Sequence, residues 1–312
     1  MVTTSGAPSG TARVQDPLNS NRTVSEGIGY GLLAAVYMSD QTTFNELWGY
    51  EKQHLDGNGL MNWEIDDEGN TEGTGSATDA DEDMAWALLM ADKQWPGNGY
   101  AAAGQTIAGK LSGEFDQGVP NIGDQDANSS TIHPDYFAPA YYTLFGLTSD
   151  ITPGYNLLGA LTATTTGNTT GLIPDSSGIT SGNGTVSFGF EASRAPLRVG
   201  LHYCFTGSDQ AKGILTPMAA FFVKVGVTSL EIPINIDTGG ADGTQDPAAA
   251  VMGPAAIAAM VSSGNQAFID AAWTQTYSLT LPSRNGNNYF DTSLGVLSLL
   301  VLSGNFIDYT SL

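Results

Sequence analysis

Apolar residues recur at helical spacing along most of the chain. Cut by Gly, Pro, Asn and Asp, these runs predict eleven helices. They lie near 26–39, 42–54, 80–94, 98–114, 134–147, 151–166, 191–206, 209–226, 246–262, 264–273 and 290–303. Polar stretches rich in Gly, Asp, Asn and Thr separate some of them, at 55–79, 115–133, 167–190 and 227–245. A short strand fits within 182–189, "GNGTVSFG". The run 163–185 has the composition of a flexible linker, yet its length inside a compact chain favours an ordered, functional loop. No shift in composition marks a boundary. A single all-α domain over 1–312 is expected, with 1–22 an irregular leader that lacks an amphipathic pattern.

Composition narrows the class. The 312 residues are 41% hydrophobic, enough for a substantial core. The chain has no apolar run of about 18 residues, the length a membrane helix needs. Its start, MVTTSGAPSGTA, has neither the basic nor the apolar region of a signal peptide. Ten Lys and Arg face 32 Asp and Glu, a formal net charge of -22. Nucleic acid and anionic membranes both demand a basic surface, so neither is an expected partner. A neutral or cationic ligand fits better, and most of the charge reads as a solvated acidic coat suited to a saline or acidic habitat. The single cysteine, Cys204 in "LHYCF", excludes an intrachain disulfide and is expected to be a buried small hydrophobe. With only three scattered histidines beside it, a structural zinc site is not expected. No metal or cofactor is called for.

Three stretches carry unusual chemistry. "TVSEGIGYG", 23–31, opens a helix with Ser25 as its expected N-cap and Glu26 in the first turn. Gly27, Gly29 and Gly31 follow, although each weakens a helix by roughly 1 kcal/mol. Bare backbone of this kind suits close approach by another group. "SATDADEDMAWALLMADKQW", 76–95, crowds Asp79, Asp81, Glu82 and Asp83 into a helix start. The helix dipole accounts for Glu82 and Asp83, leaving Asp79 and Asp81 as candidates. "FGFEASRAPLRVG", 188–200, sets Glu191 three residues before Arg194 and seven before Arg198, a spacing that also suits a plain helix ion pair. Trp63, Tyr136, Tyr141, Tyr142, Tyr289 and Phe290 lie near predicted helix ends, where aromatic rings serve a core or stack on sugar faces. There is no Ser-His-Asp, phosphate-loop, dinucleotide or HExxH pattern. Paired carboxyls with aromatics point to glycosidic hydrolysis, which needs one protonated carboxyl and one carboxylate. Glu26 suits the acid if neighbouring acids and burial raise its pKa against the pull of the helix N-terminus.

These stretches, with "LMNWEI", "DYFAPAYY" and "NYFDTSLGVLSLLVLSGNF", resemble glycoside hydrolase family 8, in the family's order over nearly the whole chain. The resemblance implies an (α/α)6 barrel and an inverting endo-acting β-1,4-glucanase cutting cellulose-like or mixed-linkage β-glucan. It makes Glu26 the general acid and matches Asp79 to the aspartate that holds the sugar at the cleavage point. Trp63 is similar to a stacking platform, Tyr136 to the tyrosine near the attacking water, and Arg194 to the arginine that orients the acidic centre. Tyr289 joins them as a substrate-binding residue, and the glycines would let the glucan lie against the helix of Glu26. The implied partner is a β-glucan polysaccharide or oligosaccharide met outside the cell by a monomer.

Two features depart from the family. Glu191 stands where an aspartate base is usual, so either Glu191 is the base or the base lies elsewhere, as in the chitosanase branch. Eleven helices are expected against the family's twelve, so the barrel is expected to be short of its first helix. Chitosanase, xylanase and a carbohydrate-binding protein with impaired catalysis are the alternatives.

Overall fold

Eleven α-helices form among the residues that the computed structural model describes: 1–116, 118–126, 131–163, 167–178, 187–241, 248–281 and 288–311. In chain order they are α1 (Ser25–Tyr37), α2 (Gln41–Glu51), α3 (Thr78–Gln94), α4 (Tyr100–Leu111), α5 (Tyr142–Phe145) and α6 (Thr148–Leu161). After them come α7 (Ala195–Thr206), α8 (Asp209–Val225), α9 (Ala249–Ala259), α10 (Gln266–Thr280) and α11 (Tyr289–Leu302). The expected paired-helix barrel is present. The inner ring runs through α7, α9, α11, α1 and α3 by direct packing, and α5 joins α3 through the hydrogen bond from Tyr142 to Glu82. α2, α4, α6, α8 and α10 lie outside it.

Burial follows that division. α9 is buried along its whole length and α3 over all but its last three residues. α2, α4, α6 and α10 each bury a single face. Between α11 and α1 no outer helix stands among the described residues, and the leader 1–22 contributes only short strands and turns. No described helix is long and apolar enough to cross a membrane.

Predicted and observed elements differ where local chemistry competes with the apolar period. The stretch 134–147 is not one helix. Pro134 and Pro139 break it into a 3-10 turn, Pro134–Tyr136, and the four-residue α5. α10 runs to Thr280 instead of ending at 273, its buried face passing from Phe268 and Ala272 to Thr276 and Thr280. The strand expected within 182–189 is a two-residue one, Ser187–Phe188, paired antiparallel with Ile234–Asn235; residues 182–186 lie outside those described. In the 163–185 loop the described part, 167–178, is held in place. The Asn168 amide donates to the Leu161 and Leu172 carbonyls at 3.0 and 2.7 Å.

Cys204 corrects an expectation. It is exposed, on the last turn of α7 beyond the buried residues that end at His202. It lines a cavity of about 700 Å³ with Phe205, Met260 and Phe306.

Candidate active site

Glu26 is placed by a strand that turns directly into a helix. Thr23–Val24 pairs antiparallel with Glu64–Ile65, which pairs in turn with Thr71–Gly73. Val24 is the N-cap, extended and without a side-chain cap bond, so Ser25 is the first helical residue and not the cap expected for it. The Ser25 amide donates instead to the Trp63 carbonyl at 3.0 Å, continuing the strand pairing to the edge of the helix. Trp63 is fixed from its other side, its amide donating to Gly75 at 2.8 Å. Its indole lies against Gly73, where a Cβ would stand 2.2 Å from the ring. With 40% of its surface exposed, Trp63 offers a flat apolar face to solvent.

The three glycines of α1 face protein. A Cβ at Gly29 would stand 3.1 Å from the Asp83 Cβ and 3.3 Å from the Ala80 carbonyl oxygen, so this glycine lets α1 lie close on α3. Gly27 faces Val14 and Tyr289, and Gly31 faces Leu47 and Val14. The expectation that bare backbone admits a sugar is thereby overturned. The glycines serve packing, and through it they set the first turn of α1, with Glu26, against the first turn of α3, with Asp79.

Arg194, 2% exposed in the 3-10 turn that leads into α7, is the hub. Its Nη1 donates to Glu26 Oε2 and lies 3.3 Å from Asp79 Oδ2. Its Nη2 donates to Glu191 Oε2, and its Nε donates to Asp135 Oδ2 at 2.6 Å. The guanidinium also packs between two rings, 5.3 Å from the centroid of Tyr136 and 5.7 Å from that of Phe290. Tyr289 donates its hydroxyl to Glu26 Oε1 at 2.8 Å.

Three buried carboxyls and the half-exposed Glu191 therefore share one fixed positive charge, which cannot hold all three buried ones ionised. Burial pushes Glu26 up to about 7; Arg194 opposes the shift and Asp79 adds to it. Burial likewise pushes Asp135 up to about 7 against the pull of Arg194. Glu191 differs in setting, its side chain 46% exposed and its Oε2 3.8 Å from His133 Nδ1.

Six of the seven residues singled out from the sequence thus meet around one guanidinium or its partners: Glu26, Asp79, Glu191, Arg194, Tyr136 and Tyr289. Trp63 joins them through the backbone of Ser25. Asp135 and His133 are additions that sequence reasoning missed. Both stand beside Tyr136 in "HPDYFAPAYY", and the visible signal was two arginines in one segment with too few assigned carboxyl partners.

Glu82 and Asp83 are corrections. They are buried and sit against Arg198, so the helix dipole is not their reason to exist. Asp81 is buried too and interacts with Glu114 and Ser76, away from the hub. His133, Asp135 and Glu191 bring ligand-type atoms within 4.8 Å of one another. Arg194 already occupies an oxygen of both acids, so the cation at this spot is a side chain that a metal would have to displace.

A cleft of about 260 Å³ opens on Glu26 and Glu191, walled by Asp16, Leu18, Phe190 and Phe290. One carboxyl that retains its proton near neutrality and a second, solvent-reached carboxyl face the same space. That arrangement can protonate a leaving oxygen and deprotonate a water.

The chain is similar to known proteins over almost its full length. The model of "Glycosyl hydrolases family 8" matches residues 1–304. Endoglucanase A of Acetivibrio thermocellus is 33% identical, covering 98% of this chain and 67% of that protein. The beta-glucanase of Niallia circulans is 29% identical over 96% of this chain and 81% of its own. Among solved structures, the apo beta-1,3-1,4-glucanase of Paenibacillus sp. X4 superposes with a TM-score of 0.87 at 27% identity, covering 97% of this chain and 88% of that one. The hub, the ring of inner helices and these likenesses lead to one assignment: the chain is a glycoside hydrolase and belongs to family 8.

Proposed function

We propose that this protein is an inverting endo-β-glucanase that cuts β-1,4 bonds in cellulose-like or mixed-linkage glucan. The observation that carries the reading is one open cleft shared by Glu26, whose pKa burial raises to about 7, and Glu191, which solvent reaches. Glu26 is the proton donor, kept protonated by burial and oriented by Tyr289 and Arg194. Glu191 is the base, exposed enough to take a proton from an attacking water while Arg194 fixes it.

Asp79 holds the sugar at the cleavage point. Its two carboxylate oxygens are buried with no hydrogen-bond partner, an unmet bonding capacity of the kind that a ligand or water fills. Tyr136 lies by the water, and Trp63 stacks on a neighbouring sugar. Asp135 is a weaker candidate for the base, because it is fully buried and its raised pKa makes it a poor proton acceptor below neutrality. A polymer of this kind is met outside the cell, where a monomer would act.

The names of the relatives support a glucan substrate, and the test is direct. Lichenan, carboxymethylcellulose, xylan and chitosan should be compared for reducing-sugar release, with the anomer of the first product read by NMR. Release of α-anomers from lichenan or carboxymethylcellulose is expected. Preferential hydrolysis of chitosan or xylan would move the substrate assignment, and β-anomers would reject inversion. Glu26→Gln should keep the fold and glycan binding while lowering turnover by roughly 10²–10⁴-fold. A variant within tenfold of wild type would remove Glu26 from the acid role.

A further inference from the structure

Arg198 lies one helical turn beyond Arg194 on α7, is 3% exposed, and does not line the cleft. Its guanidinium clasps Asp83 with both ends, Nη1 to Oδ1 at 3.2 Å and Nη2 to Oδ2 at 3.1 Å. Nη2 also donates to the backbone carbonyl of Asp79 at 3.4 Å, and Nη1 stands 3.7 Å from Glu82 Oε2. The other oxygen of Glu82 accepts from the Tyr142 hydroxyl at 2.9 Å, which itself accepts from the Ala138 amide at 3.0 Å. One buried chain of contacts therefore runs from α7 through the first turns of α3 to the segment that follows Asp135 and Tyr136.

Asp79 needs such support. Its carboxylate has no hydrogen-bond partner and only Arg194 Nη1, at 3.3 Å, as an ion-pair contact. The position of that carboxylate is therefore set by its backbone, and Arg198 grips the backbone.

We propose that Arg198 is a positioning residue for the sugar-holding side of the site. Arg194 aligns the acid and the base, and Arg198 aligns Asp79 and the Tyr136 turn. Both arginines belong to the start of one helix, so the two halves of the site keep a common register. The proposal rests on the hydrolase reading given above.

The rival account is that Arg198 only neutralises Asp83. A lysine would do that equally well but lacks the planar fork that reaches Asp83 and the Asp79 carbonyl together. The test compares wild type, Arg198→Lys and Tyr142→Phe in thermal unfolding, hydrolysis over a pH series, and calorimetric binding of a cello-oligosaccharide. If Arg198 positions, Arg198→Lys keeps most of the melting temperature but loses between about tenfold and about 100-fold in kcat. Its alkaline pH limb stays close to that of wild type, because burial and Arg194, the two largest influences on Glu26, remain in place. Tyr142→Phe, which cuts only the Glu82–Ala138 link, shows a smaller loss of the same kind.

Wild-type kcat per folded molecule in Arg198→Lys overturns the proposal, as does a loss accompanied by a moved alkaline limb. Should Arg198→Lys fail to fold, Tyr142→Phe decides alone, and unchanged kcat there overturns it. If the wild type binds the oligosaccharide without hydrolysing any glucan, the hydrolase reading fails by itself. Binding at least about tenfold weaker in Arg198→Lys then still supports the positioning role, and equal binding rejects it.

Discussion

At Arg194 one charge does the work of several, and the surplus acids carry the consequences. Glu26 is pushed up to about 7, so as a proton donor it is competent below that pH and ionised above it. Hydrolysis of a glucan should therefore fall by about tenfold per pH unit on the alkaline side of neutrality. A limb that begins below pH 5 or above pH 9 would contradict this. Glu191 reaches both Arg194 and His133 with its full length. Glu191→Asp withdraws the carboxyl by one methylene, and turnover should drop by about tenfold to 100-fold. A gain in turnover would instead mark glutamate as a compromise at this position. The hub was largely legible in the sequence, since Glu26, Asp79 and Arg194 each sit in a distinctive short pattern. Asp135 was not, because a lone aspartate before a tyrosine looks like any loop residue. The error over Glu82 and Asp83 has a physical origin. Their partner Arg198 is 115 residues from Asp83 along the chain, so only the fold brings the ion pair together.

Among the elements, the α1–α3 contact is the most demanding. Gly29→Ala would add a methyl 3.1 Å from the Cβ of Asp83, a side chain that Arg198 already clasps. Overpacking of this kind costs about 1–3 kcal/mol, against a helix gain of about 1 kcal/mol from losing a glycine. The variant should unfold at lower urea concentration than wild type and lose activity, because Glu26 and Asp79 part with the helices that carry them. A more stable and fully active Gly29→Ala would show that the helices can give way. Elements with an unbroken apolar face, such as α1, α3 and α8, were read from periodicity within two residues of their observed limits. α5 and α10 were misjudged where prolines cut a run and where threonines took over a buried face. Apolar period reports burial only while apolar residues do the burying.

For the whole molecule, two electrostatic effects are separable. The net charge of -22 makes the folded chain repel itself, and salt screens that repulsion over about 10 Å at 0.1 M. Melting temperature should rise as NaCl goes from millimolar to molar; a flat response would assign the acidic residues to something other than surface repulsion. Inside, Glu26, Glu51, Glu114 and Asp135 are each raised to about 7, chiefly by burial. Between the ordinary carboxyl range and 7 the native state holds protons that the unfolded chain releases, so stability declines as pH rises through that window. With surface charge screened by molar salt, the protein should melt at a higher temperature at pH 5 than at pH 8. A melting temperature that climbs over this range would refute the assignment of buried protons. The ring itself closes late. The Tyr289 hydroxyl that orients Glu26 comes from 263 residues further along the chain, on the last of the described helices. During synthesis the nascent polypeptide can build most of the barrel and still lack this contact. The Glu26–Tyr289 contact forms only after residue 289 has left the ribosome and α11 has docked, so a chain cut before that helix would hold Glu26 without this partner.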